Sequence, residues 1–171
     1  MSDAEPNAPS RPAPRHTKLN GAQDYVNALD TVIALAQRSV RVFDHSLEHD
    51  GFNSRKRYDL LRAFLLKSRK NKLQIAVHTP DYLAKFCPRM MMLLKQFSHS
   101  VEIYRTTSQV QHVTTPFIVV DEHHYARRYH FEDLRGLLAL DDPLGAETLN
   151  LQFDELWAAS RPAVSASTTG L

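Results

Sequence analysis

The sequence predicts one α/β domain in which a mixed, largely parallel β-sheet is flanked by helices on both faces. Segments with helical periodicity alternate along the chain with short β-branched segments, and this order is typical of parallel sheets covered by helices. The run Phe117–Val120 is apolar without interruption, which indicates a strand buried on both faces at the centre of the sheet. The composition, 43% hydrophobic and 23% charged, is that of a globular chain.

The first half of the chain alternates helix and strand twice. Apolar residues recur at three-and-four spacing over residues 22–38, which predicts an amphipathic helix, and the alternating segment Ser39–Asp44 predicts a strand after it. Ser54 is a suitable N-cap for a second helix that ends near Asn71. Residues 73–78 then predict a second strand.

The second half predicts further strands and a closing helix. Pro80 favours a helix that begins at Asp81, and Pro88 must interrupt it because an interior proline removes a backbone hydrogen bond. Strands are expected at residues 101–105, 117–120, 125–129 and 137–140, and a helix at 143–160. We therefore place the domain at residues 20–160, between a disordered leader at 1–19 and a disordered tail at 161–171.

Cysteine usage and hydropathy exclude several classes of protein. Cys87 is the only cysteine, so an internal disulfide and a cage of thiolate ligands for a metal are excluded, and a reducing cytoplasm is the expected location. No apolar segment approaches the roughly 20 residues that a membrane-spanning helix requires. We expect no membrane span and no cofactor.

Charge is distributed unevenly although the formal net charge is only +2. Residues 55–72 hold eight basic residues and one acid, whereas residues 121–157 hold nine acids and three arginines. Clustered cations release counterions from nucleic acid, so this basic helix is a candidate patch for nucleic acid or an acidic partner, but a solvated helix face has the same composition. The sequence favours the solvated face. The candidate patch residues are Arg55, Lys56, Arg62 and Arg69.

Three features together resemble one half of a phospholipase D superfamily protein: a central strand that ends in Asp121, a hairpin strand directly after it, and the closing segment 153–157. More narrowly, the chain resembles a small bacterial phospholipase D-like domain of unknown function that is sometimes found appended to acetyltransferase domains. The resemblance covers about residues 20–160. It implies a phospholipase D-like fold and an acetyltransferase-type or other protein partner. It also implies a homodimer, since single-motif members of the superfamily pair two copies to build one site.

The chemical residues of the superfamily are missing at the expected positions. Its members use a histidine nucleophile, a lysine two residues later and an aspartate at the end of the strand. Asp121 fits the last position, but the first two fall on Thr114 and Pro116, with Thr115 between them. Threonine lacks the basicity of imidazole near neutral pH, and proline carries no charge. We therefore predict a non-catalytic domain that acts as a binding or regulatory module.

An enzyme remains the alternative interpretation. His112 lies two residues before the expected histidine and would act as nucleophile or base, with Asp121 as its orienting carboxylate. Arg127 or Arg128 would then anchor a phosphate group. The resemblance would make such an enzyme a phosphodiesterase or a phosphatidyltransferase.

Three further histidines, His45, His49 and His78, lie near predicted strand ends, where open α/β sheets commonly bind ligands. None has the spacing of a known metal motif, and the adjacent pair His123 and His124 would point to opposite faces of a strand. We predict no metal site and expect loop and core histidines hydrogen-bonded to the backbone.

Overall fold

A computed structural model describes residues 10–165 of the chain. These residues form eight strands, five α-helices and one short 3-10 turn at Ser108–Val110. In chain order the elements are β1 (Arg15–Asn20), α1 (Ala22–Leu35), β2 (Ser39–Asp44), α2 (Arg55–Lys67), β3 (Lys72–Val77), α3 (Asp81–Phe86), α4 (Pro88–Gln96), β4 (Val101–Thr106), β5 (Phe117–Val120), β6 (His124–His130), β7 (Asp133–Leu140), α5 (Pro143–Ala158) and β8 (Ser160–Val164).

All eight strands belong to one mixed sheet with the order β1-β7-β6-β5-β2-β3-β4-β8. The predicted mixed sheet with helices on both faces is confirmed. Parallel pairing is less extensive than predicted, because only β2 with β3 and β3 with β4 are parallel. The connections from β5 to β6 and from β6 to β7 are too short for the crossover that parallel strands need, so these strands pair as antiparallel hairpins.

The central strand β5 separates two hydrophobic cores. Ile118 and Val120 belong to the core beneath α1, α2 and α4, and Phe117 and Val119 belong to the core beneath α5. All four side chains are fully buried, as the unbroken apolar run predicts. The alternation follows from the geometry of a strand, in which successive side chains point to opposite faces.

Local sequence signals account for the helix boundaries. The hydroxyl of Ser54 accepts a hydrogen bond from the backbone N–H of Arg57, which confirms Ser54 as the N-cap of α2. Pro88 begins α4 directly after Cys87, so the expected interruption divides the third helix into α3 and α4. None of the helices in residues 10–165 combines the length and the apolar character that crossing a bilayer requires.

The sheet is wider at both ends than the sequence predicts. Residues 15–20, expected mostly in the leader, pair with β7, and residues 160–164, expected mostly in the tail, pair with β4. The outer strands β7 and β4 would otherwise expose unpaired backbone groups, and the two added strands satisfy them. The outermost parts of the predicted leader and tail, residues 1–9 and 166–171, lie outside the described residues.

Candidate binding site at the strand ends

The carboxyl ends of β2, β3 and β4 meet the start of β5 and the end of β6 along one side of the sheet, because β5 is antiparallel to β2. We call this side the carboxyl-end rim and the opposite side the amino-end rim. Two cavities open on the carboxyl-end rim. The inner cavity has a volume of about 260 Å³ and is lined by His45, Arg128, His130 and neighbouring residues. The outer groove has a volume of about 750 Å³ and is lined by His78, Arg105, Arg161 and neighbouring residues. The contacting rings of His45 and His78 lie between the two, with centroids 5.9 Å apart.

Asp121 does not belong to this rim. It follows β5 at the amino-end rim with a positive φ of 53°. Its carboxylate accepts hydrogen bonds from the backbone N–H groups of Gln37 at 3.0 Å, Arg38 at 2.8 Å and Ser39 at 3.0 Å. The side chain therefore holds the turn between α1 and β2. The structure does not bring it together with His112, which precedes β5 at the other rim.

The positions that the resemblance assigns to histidine and lysine take part in backbone pairing. The carbonyl of Thr114 accepts from the N–H of Phe131 at 2.9 Å, and the carbonyl of Pro116 accepts from the N–H of Arg128 at 3.0 Å. His112 is exposed in the loop before them. Neither position 114 nor position 116 supplies an imidazole or an ammonium group to the rim.

His78 is the histidine most deeply placed at the rim, and both of its ring nitrogens are occupied. Nδ1 lies 2.5 Å from Oγ1 of Thr106, and Nε2 lies 2.8 Å from the carbonyl oxygen of Val113. Since a carbonyl only accepts, Nε2 carries the proton and Nδ1 accepts from the threonine hydroxyl. Burial lowers the pKa of His78, which favours this neutral form. Its backbone hydrogen bond matches the expectation of a structural histidine.

Two buried carboxyl groups form the floor of the inner cavity. Asp44 and Asp50 are 4% and 3% exposed, and their side chains share a hydrogen bond. Burial, followed by the hydrogen bond and the negative charge of Asp50, raises the pKa of Asp44 well above its ordinary value. Asp44 is therefore protonated more readily than an ordinary carboxyl group.

Arg128 borders the same cavity and is 7% exposed. Its guanidinium carbon lies 5.0 Å from the centre of the Tyr25 ring. The Nε atom is fully buried, and no side-chain nitrogen of Arg128 has a hydrogen-bond partner within the described part of the chain. Buried guanidinium groups are normally hydrogen-bonded, so this one is short of acceptors.

The two candidate phosphate anchors are separated by the sheet. Arg127 and Arg128 are neighbours on β6, so their side chains point to opposite faces. Arg127 lies over the ring of Tyr129, with 5.8 Å between the guanidinium carbon and the ring centre. Only Arg128 borders the inner cavity. The two arginines cannot hold one phosphate group together.

The basic patch is smaller than the sequence suggests. Arg62 and Arg69 are exposed, and within residues 10–165 neither forms an ion pair, whereas Arg57 of the same run is fully buried. Other cations of the run have partners: Arg55 lies 3.9 Å from Asp59, Lys56 lies 3.8 Å from Asp30, and Lys67 donates to the carbonyl of Ala36 at 2.8 Å.

The floor of the inner cavity and the arginines of the outer groove are not predicted from the sequence. A polar residue at the end of a buried strand, Asp44, was an available signal, but Asp50 lies in a loop without a pattern. Arg161 lies in the segment expected to be the tail, so its pairing with β4 could not be read. Across residues 10–165, no three histidine, cysteine, aspartate or glutamate side chains converge as a metal ion requires.

Comparison with known proteins supports the fold. A family model described as a domain of unknown function (DUF7931) matches residues 21–166. No curated protein matches the chain significantly.

Several solved structures are similar. One is the archaeal chromatin protein TrmBL2, whose structure shows a novel mode of DNA binding. It is 12% identical with a TM-score of 0.66, and the match covers 87% of this chain and 54% of TrmBL2. The chain thus spans about half of that protein. Nuc from Salmonella typhimurium, a phospholipase D family member, is 13% identical with a TM-score of 0.66, over 90% of this chain and 100% of Nuc. Phosphatidylserine synthase from Haemophilus influenzae is 12% identical with a TM-score of 0.55, and the match covers 90% of this chain and 40% of the synthase. The phospholipase D-like fold implied by the resemblance is confirmed.

Proposed function

We propose that this chain, which belongs to the family described as a domain of unknown function (DUF7931), is a non-catalytic module. It binds a singly charged oxyanion in the inner cavity. The observation that carries this proposal is Arg128, a buried guanidinium at the cavity wall without a hydrogen-bond partner among the described residues. An oxyanion in the cavity would accept from its fork of N–H groups.

The charges around the cavity favour a small, singly charged ligand. The raised pKa of Asp44 reduces the negative charge that the two carboxyl groups place beside Arg128. His45, His49 and His130 add ring nitrogens, whereas Glu48 and Glu132 add negative charge at the mouth. A polyanion would be repelled by these carboxylates. A phosphodiester group carries one negative charge, and the likeness to a phospholipase D family member supports this choice.

The non-catalytic part of the proposal depends on the missing nucleophile. Cleavage of a phosphodiester on this fold uses an imidazole and a cation, and Thr114 and Pro116 supply neither. Both ring nitrogens of His78 are hydrogen-bonded, and His112 is exposed and remote from Asp121.

Bis(p-nitrophenyl) phosphate tests binding and turnover together. We expect it to shift the backbone amide resonances of residues 44–50 and 128–132 without release of nitrophenol. Arg128→Gln should weaken binding at least about tenfold, because a charge-assisted hydrogen bond is lost. Arg127→Gln, the same change on the opposite face, should bind like the unaltered protein. Nitrophenol release that His112→Ala abolishes would overturn the non-catalytic assignment, and equal binding by Arg128→Gln would overturn the site.

Nucleic-acid binding through α2 and the residues directly after it is a second candidate. The exposed guanidinium groups of Arg62 and Arg69 favour it, as does the likeness to a protein described by its DNA binding. Phosphate contacts predict an affinity that falls steeply with salt. Binding of single-stranded DNA that is lost in the double variant R62Q/R69Q supports this function, and no binding at low ionic strength removes it.

The proposal also includes contacts with other chains. Single-motif members of the superfamily pair two copies, which favours a homodimer, and another protein partner is the alternative. Phe86 and Met92 are exposed apolar side chains on α3 and α4, at 63% and 47%, and provide a surface for such contacts. Light scattering should then give twice the chain mass of 19.5 kDa. A monomeric mass that persists at high concentration would rule out the homodimer.

A further inference from the structure

Arg105 on β4 and Arg161 on β8 lie directly opposite each other in an antiparallel pairing. Directly opposed residues of neighbouring strands point to the same face, so the two guanidinium groups share one surface. Both side chains are exposed, and both line the outer groove. Like charges at such positions destabilise a sheet. Within residues 10–165 neither arginine forms a hydrogen bond or an ion pair through its side chain.

The outer groove has a positive balance that the inner cavity lacks. Asp81 is the one carboxylate that lines the groove, against two arginines. Thr107, Ser108 and Gln111 line it as well and bring hydroxyl and amide groups. The Thr107 hydroxyl already donates to the carbonyl of Ala159 at 2.8 Å, whereas the exposed hydroxyl of Ser108 has no partner in the described part of the chain.

Protection of the sheet edge explains only half of this arrangement. Charged residues and prolines on an edge strand prevent pairing with other chains, and Arg161 with Pro162 on β8 fits that role. Arg105 lies on β4, which β8 covers, so it protects no edge. A second arginine opposite the first adds repulsion without blocking any pairing. A ligand that carries negative charge removes this repulsion.

We propose that Arg105 and Arg161 form a clamp for a phosphate monoester or inorganic phosphate. Two guanidinium forks can donate to different oxygens of one tetrahedral anion, and a dianion neutralises both charges. The clamp is separate from the inner cavity and does not depend on the function proposed for it. It is a second anion site with the opposite charge preference, a dianion rather than a monoanion.

Inorganic phosphate is the probe, and the double variant R105Q/R161Q is the test. Phosphate should raise the midpoint of thermal unfolding of the unaltered protein and shift the amide resonances of residues 105–108 and 160–163. R105Q/R161Q should lose at least about tenfold in phosphate affinity, because charged hydrogen bonds are removed. R11Q/R38Q removes the same charge from two exposed arginines that belong to no proposed site, and it should respond to phosphate like the unaltered protein.

Removal of the like-charge pair also has an effect without a ligand. In the absence of phosphate, R105Q/R161Q should unfold at the same temperature as the unaltered protein or higher, because repulsion is relieved. A phosphate response of equal size in R105Q/R161Q and the unaltered protein would overturn the clamp, as would no response in the unaltered protein. Resonance shifts at residues 44–50 and 128–132 report on the inner cavity, and shifts at residues 105–108 and 160–163 report on the clamp, so failure of the clamp and failure of the inner cavity are distinguishable.

Discussion

Nε of Arg57 donates a 2.6 Å hydrogen bond to Oδ1 of Asp30, and the two side chains are 0% and 8% exposed. The same guanidinium donates to the backbone carbonyls of Asp50 at 2.9 Å and Val26 at 3.2 Å. One cation of the basic helix therefore joins α2 to α1 and to the loop that carries Asp50. Part of the charge that marks α2 in the sequence serves the core and the inner cavity rather than a partner.

Arg57→Met should lower the free energy of unfolding by about 3–5 kcal/mol, because the buried carboxylate of Asp30 loses its hydrogen-bonded cation and keeps only the more distant ammonium group of Lys56. Arg62→Met, an exposed position on the same helix, should change stability by no more than about 0.5 kcal/mol. Urea denaturation measures both. The double variant D30L/R57M should recover much of the loss, since no unpaired charge stays buried. Equal stability of the Arg57 and Arg62 variants would contradict the ion pair.

Asp121→Ala should lower the free energy of unfolding by about 2 kcal/mol or more, because three backbone N–H groups lose their acceptor. Glu122→Ala at the next, exposed position is the matched control and should be nearly neutral. Binding of bis(p-nitrophenyl) phosphate should not change in either variant, since Asp121 lies at the amino-end rim. If Asp121→Ala lost that binding while its stability stayed unchanged, Asp121 would belong to the binding site and its placement outside the site would be wrong.

Stability should fall as pH rises through the raised pKa of Asp44. Because the folded protein holds this proton more tightly than the unfolded chain, the contribution is fully present below the ordinary carboxyl pKa of about 4 and is lost as the pH rises through the folded value. Asp44→Asn donates to Asp50 without needing a proton, so its stability relative to the unaltered protein should increase with pH. Thermal unfolding over a pH series measures this difference.

The control for that series is Asp59→Asn, at an exposed position on α2. Its stability difference from the unaltered protein should not follow the trend of Asp44→Asn. A parallel trend in both variants would mean that the folded protein does not hold the proton of Asp44 more tightly than the unfolded chain does.

Gly136→Ala should destabilise the hairpin of β6 and β7, because the added Cβ would collide with the backbone carbonyl of Arg127. A backbone shift there also displaces Arg128, so affinity for bis(p-nitrophenyl) phosphate should fall with stability. At Gly21 an added Cβ would meet open space, but φ is 112°. Gly21→Ala should therefore lower the free energy of unfolding by about 1 kcal/mol and retain binding. Unchanged stability in Gly136→Ala would contradict the register of β6 and β7.

Much of the fold could be predicted because it depends on local physics. The apolar run of β5, the cap at Ser54 and the break at Pro88 each act within a few residues, and the structure bears out all three. The candidate site was less predictable. The absence of histidine and lysine at positions 114 and 116 is visible in the sequence, but the burial of Arg57 inside a basic run is not, because charge patterns do not report which side chain faces a buried partner.

The sequence by itself determined the order of the elements from α1 to α5, the strand at the centre of the sheet and the absence of histidine and lysine at positions 114 and 116. Tertiary structure alone decided that Asp121 lies at the rim opposite the inner cavity, that Asp44 meets Asp50, and that Arg105 meets Arg161. Periodicity and capping are local, whereas strand order and register depend on packing between segments far apart in the chain. Which polar groups come together at a rim of the sheet is therefore known only once every strand has a neighbour.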